Sequence, residues 1–120
     1  MSANPARGEA SINIGGKLRT VRYRTNEIAK LEDLSGKGIV TLMAQDSVGL
    51  RLLRDAIFVG LLYENKKLTP AKVGRWLDDY EGELGDLMTS VFTAIASSIP
   101  GIQSYMDEDE DEGKSDGENS

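Results

Sequence analysis

Apolar positions along this chain change their spacing at a few points, and those changes divide it into elements. Ala10, Ile12 and Ile14 alternate with Glu9, Ser11 and Asn13, the period of a strand with one buried face. Gly15-Gly16 follows; both positions accept positive φ, so the pair signals a hairpin. The return strand offers Leu18, Val21 and Tyr23, interleaved with Arg19, Arg22 and Arg24. A loop slightly longer than two residues would set Ile12 opposite Val21 and Ala10 opposite Tyr23, which matches apolar to apolar better than a strict two-residue turn. Either register puts Val21 and Tyr23 on the Ile12/Ile14 face. A lone hairpin is marginal in water, so that face must lie on helices or on a second copy of itself.

Beyond the hairpin the spacing becomes helical. Thr25-Asn26 predicts the N-cap of a helix carrying Ile28, Leu31 and Leu34 and ended by Ser35-Gly36. A short apolar piece at 39–43 predicts a helical turn or two. Residues 47–63 form the most apolar stretch, with Leu50, Leu53, Ile57 and Leu61 at helical spacing and Leu52, Ala56, Phe58, Val59 and Leu62 widening the stripe. Its charges, Arg51, Arg54 and Asp55, lie in its first half, and Asp46 or Ser47 is the expected cap. The stretch is too short and too charged to span a bilayer, which takes ~20 predominantly apolar residues. It predicts a central core helix, an internal post wrapped by its neighbours.

Thr69-Pro70 is a capping hydroxyl followed by proline at the first helical position. The helix behind it carries Val73, Trp76, Leu77 and Tyr80 and breaks at Gly82. The last helix carries Leu84, Leu87, Met88, Val91, Phe92, Ile95 and Ile99, and Pro100-Gly101 stops it. The predicted fold class is therefore α+β: an N-terminal β-hairpin followed by a compact bundle of four to five helices. We expect a flexible N-terminus at 1–8, one domain over 9–105 and a disordered acidic tail at 106–120.

Charge bears on partners. Residues 107–120 hold eight acidic residues and one lysine, −7 in all; since the whole chain carries −6, the first 106 residues carry +1. Neither part has the clustered basic excess of a nucleic-acid binder. The chain has no histidine and no cysteine, so zinc sites of the Cys/His kind, disulfides, and Ser–His–Asp or Cys–His catalysis are excluded. The polar start, with no apolar run, leads us to expect no signal peptide ahead of the first strand. A calcium loop started at Asp107 places Glu112 where the turn needs glycine, and only two residues follow its twelfth position. Asp78, Asp79, Glu81, Glu83 and Asp86 gather around Gly82, where exposure rather than acid–base work is expected. Arg19, Arg22 and Arg24 read as charges that blunt an exposed sheet edge. No catalytic, cofactor-binding or metal site is expected, and no enzyme, nucleic-acid, membrane or small-molecule function.

The order of these pieces resembles a known family. Arg7-Gly8-Glu9-Ala10 opens the hairpin, then come TNEIAKLE at 25–32, Gly36-Lys37-Gly38, LRLLRDAIFVGL at 50–61 and LTPAKVG at 68–74. Over residues 7–99 this is similar to the tail assembly chaperones of siphophages and gene transfer agents. The resemblance implies a small non-enzymatic protein of the host bacterial cytoplasm, absent from the finished virion. It implies binding to the long tape measure protein, which it keeps soluble, recruitment of tail tube subunits, and a tendency to form homo-oligomers. In many such systems a longer form arises by ribosomal frameshifting near the end of the shorter one, and this sequence permits it. Glu112-Gly113-Lys114 is encodable as GAG-GGA-AAG, which contains the slippery heptamer GGGAAAG six residues before the end.

The apolar supply is large for a body of this size, and this inclines the reading toward binding or assembly. As partner-binding residues we name Trp76, Met88, Phe92 and Ile95, each of which has core packing as its alternative role. Two other functions compete: a structural virion component such as a tail tube or head–tail connector subunit, and a small DNA-binding regulator. The second would need a basic recognition helix, whereas Lys72 and Arg75 are followed by Asp78, Asp79 and Glu81.

Overall fold

Gly15 and Gly16 turn the chain with φ of 66° and 84°, in a computed structural model that describes residues 7–45 and 48–99. This tight turn joins β1 (Glu9–Ile14) to β2 (Lys17–Arg22) in an antiparallel pair. The register is that of the strict two-residue turn: Ala10 opposes Val21 and Ile12 opposes Arg19. The longer loop and its apolar pairs do not form. Arg19 explains the outcome, because on the core-facing side of β2 its guanidinium lies 4.2 Å from the centroid of the Trp76 ring. Its Nε donates to the Ile14 carbonyl at 2.8 Å and its Nη2 to the Gly15 carbonyl at 3.2 Å. A side chain so engaged occupies a core-facing position that apolar matching reserves for Val21. Ile12, Ile14, Val21 and Tyr23 are all buried, as the alternation requires, whereas Leu18 faces outward and is 66% exposed.

Five helices follow. α1 (Thr25–Ser35) is capped one residue before the expected Thr25-Asn26: Arg24 is the N-cap, and its backbone N–H donates to Glu27 Oε1 at 2.8 Å. Gly36 ends it in the left-handed conformation, its N–H on the Glu32 carbonyl. The Glu32 carboxylate then accepts from the Ile39 N–H at 2.7 Å, fixing the start of α2 (Ile39–Met43). α3 (Leu50–Leu61) is capped by Gly49; Asp46 and Ser47, the expected caps, lie outside the described residues. α4 (Pro70–Asp78) has the predicted cap, with Thr69 Oγ1 accepting from the Lys72 N–H at 3.2 Å and Pro70 at the first position. Leu68 and Val73 are both buried, the spacing of a hydrophobic staple across the cap. The helix ends at Asp78, so Tyr80 stands past it and not on it. α5 (Leu84–Ser97) ends before Ile99. The proposed stop at Pro100-Gly101, the far end of the domain at 105, residues 1–6 of the expected loose N-terminus and the acidic tail all lie outside the described residues.

α3 is the centre. It packs against α1, α4, α5 and β2, and α5 covers β1. From Leu53 to Leu61 only Arg54 is not fully buried, which is the wrapped helix its composition demands. The architecture is α+β, a two-stranded antiparallel hairpin followed by five helices.

One charged position on α3 lies inside the body: Asp55 is 4% exposed. Its carboxylate accepts from Arg54 Nε and Nη2, both at 2.9 Å, and Arg51 Nε stands 3.9 Å away. A buried carboxylate is tolerated when it is paired and hydrogen-bonded. The Arg51–Asp55 spacing of four along a helix was the signal that carried this pair in the sequence.

Candidate functional site

Two of the surface features that the helices and the hairpin form contain residues named from the sequence. The first is a ridge on α5. Leu84, Met88, Phe92 and Ala96 recur every four residues, and none of them is fully buried. They flank the fully buried Leu87, Val91, Ala94 and Ile95. A row at that spacing extends about 18 Å along a helix and has the form that interdigitates with a second helix. Met88 and Phe92 pack against the core with one side and reach the surface with the other.

The second feature is a groove of about 730 Å³ at the tip of the hairpin. Asn13, Gly15 and Gly16 form one wall; Trp76, Asp79, Tyr80 and Glu81 form the other. The turn and Trp76 are in close contact: a Cβ on Gly15 would stand 2.5 Å from Trp76 Cε2. Arg19 lies over the Trp76 ring, an attraction between cation and ring quadrupole worth roughly 0.5–2 kcal/mol. A second such stack sits on the other face of the hairpin, where Arg22 lies 4.0 Å from the Tyr63 ring centroid. Tyr63 also donates its hydroxyl to the Thr20 carbonyl at 2.6 Å. Partial burial pushes the Tyr63 phenol above its ordinary value; Glu64 and Glu9 act in the same direction and Arg22 in the opposite one. Arg19 and Arg22, two of the three arginines read from the sequence as guards of a strand edge, are thus each held on an aromatic ring.

The named residues separate accordingly. Trp76 lines the groove, Met88 and Phe92 lie on the α5 ridge, and Ile95 is completely buried among core residues. Ile95 offers no surface in this fold; being three residues beyond Phe92, it falls on the buried row and not on the ridge. The groove's Asp79 and Glu81 were not among the named residues; Tyr80, one helical turn beyond Trp76, reads from the sequence as core first and as an interface anchor second.

Asp78, Asp79, Glu81, Glu83 and Asp86 are all exposed. Among the described residues no group of three or more acidic side chains is gathered so as to hold a metal ion. No described helix is long and apolar enough to cross a membrane. Comparison of the chain with protein-family models, curated protein sequences and solved structures returned no match.

Proposed function

We propose that this protein is a tail assembly chaperone that binds the tape measure protein of a phage or prophage, keeps it soluble and helps recruit tail tube subunits. The observation that carries the reading is the α5 ridge: Leu84, Met88 and Phe92 give an apolar row at the surface, set on a helix anchored by a buried row beside it. Such a row suits burial against an apolar helical stripe of a long client, the mode in which an amphipathic helix meets a complementary apolar surface. Trp76 supplies a further aromatic anchor of the kind enriched in interfaces. The order of elements from the hairpin to α5 adds the resemblance already described. On this reading the protein acts in the host bacterial cytoplasm, makes no covalent chemistry, and leaves before the virion is complete.

The test is co-expression with the tape measure protein from the same genome, followed by pull-down and a solubility assay. The client should move into the soluble fraction and co-purify. A client that stays insoluble, with nothing retained on the chaperone, removes the reading. The virion-component alternative gains no support from the fold, because the described strands are one six-residue pair.

A further inference from the structure

The two strands of the hairpin finish their outer edges differently. The Tyr23 N–H donates to the Gly8 carbonyl at 2.9 Å, and the register continues through Ala10–Val21, Ile12–Arg19 and Ile14–Lys17. Hydrogen-bonded pairs alternate with non-bonded ones in an antiparallel ladder. Glu9, Ser11 and Asn13 on β1, and Leu18, Thr20 and Arg22 on β2, therefore direct their backbone groups outward. On β2 this edge is obstructed, because the Tyr63 hydroxyl takes the Thr20 carbonyl and the Tyr63 ring lies against Arg22. On β1 it is open. Among the described residues no strand pairs with it, and Ser11 and Asn13 are exposed. Neither lysine nor proline, the usual guards of a strand edge, occurs in the six residues EASINI.

The open edge leads into the groove at the hairpin tip, since Asn13 belongs to both. Facing Asn13 across the groove are Trp76, Tyr80 and the carboxylates of Asp79 and Glu81. Those two carboxylates are exposed and have no basic partner among the described residues.

We propose that the outer edge of β1 binds an extended segment of a partner protein as a third strand, and that the groove beyond Asn13 receives a Lys or Arg side chain of that segment. Main-chain bonds at Ser11 and Asn13 give affinity with little regard to sequence, and the groove gives the preference. Asp79 and Glu81 complement the charge, and the aromatic rings favour a cation beside them. This surface is separate from the α5 ridge and does not rest on the tail-assembly reading.

The probe is a fluorescent peptide of alternating Thr and Val with one terminal Lys, titrated into the full chain and followed by anisotropy and by amide NMR shifts. Shifts are expected at Ser11, Asn13 and the Trp76 indole. Binding should weaken at least tenfold when Lys is replaced by Glu, when alternate peptide nitrogens are methylated, and in the Asp79→Asn/Glu81→Gln variant. Ser11→Pro removes an outward N–H only, so it should abolish binding with the far-ultraviolet circular dichroism unchanged. If that variant misfolds, the methylated peptide still decides with the natural protein. No binding of the Lys peptide, equal binding of the methylated one, or shifts away from Ser11 and Asn13 overturns the proposal. A dimer dispersed by Ser11→Pro also overturns it, assigning the edge to a second copy.

Discussion

Tyr23 at the end of the hairpin lies against Gly60 near the end of α3, so closely that a Cβ on Gly60 would stand 2.7 Å from both Cζ and Oη of the phenol. The hydroxyl donates to the Ala56 carbonyl at 2.7 Å, one turn earlier on the same helix. This contact fastens the sheet to the central helix. Gly60→Ala should cost about 1–3 kcal/mol through overpacking, because Tyr23 is fully enclosed and cannot move aside. Thermal melts read this as a fall of about 4–8 °C per kcal/mol for a body of this size. An unchanged melting temperature would mean that Tyr23 has room to move.

The same enclosure makes stability depend on alkaline pH. Burial raises the Tyr23 phenol far above its ordinary value, which is about 10, and Tyr63 moves the same way. The unfolded chain therefore loses these protons first. The stabilising contribution is whole below pH ~10 and is lost as pH rises above it, with a slope approaching about 1.4 kcal/mol per pH unit for the enclosed Tyr23. Denaturant titrations between pH 9 and 12 should show this loss, and Tyr23→Phe should make it shallower.

Arg19 owes its place to its planar guanidinium, which stacks on Trp76 and bonds the Ile14 and Gly15 carbonyls together. Lysine keeps the charge and loses the stack and the fork. Arg19→Lys should lower stability by about 1–2 kcal/mol. Trp76 is the only tryptophan, so its fluorescence reports the opening of the hairpin tip directly and should shift to the red. A variant with the natural emission maximum would show that the stack contributes nothing.

Ile57 is fully buried in the middle of α3. A charge there has no partner, and Ile57→Asp should unfold the body, since burying an unpaired carboxylate exceeds the few kcal/mol that the native state holds in reserve. Circular dichroism should show the helices lost. A folded variant that fails only in client binding would make α3 part of the binding surface.

How much of this was legible depended on whether one element or two were involved. Alternation at Ala10, Ile12 and Ile14 and the cap at Thr69-Pro70 are local signals, and both appear in the structure. The choice between two hairpin registers stayed open in the sequence because it depends on Trp76, more than fifty positions away, whose ring gives Arg19 a place on the core side. The burial of Asp55 was not legible for a similar reason, since it depends on how the rest of the body surrounds α3. On α5 the sequence shows one broad apolar stripe. Only packing against β1 and α3 divides it into the buried row that contains Ile95 and the ridge that contains Met88 and Phe92. The groove joins the hairpin turn to the segment after α4, and no local pattern could have paired them.

The proposed function stands on the α5 ridge, and one measurement tests it most directly. The tape measure protein is co-expressed with the natural chain or with a Met88→Ser/Phe92→Ser variant whose melting curve confirms that it is folded, and the soluble fraction of the client is compared. The account predicts a soluble, co-purifying client with the natural chain and an insoluble one with the variant. A client equally soluble with both, or insoluble with both, would contradict it.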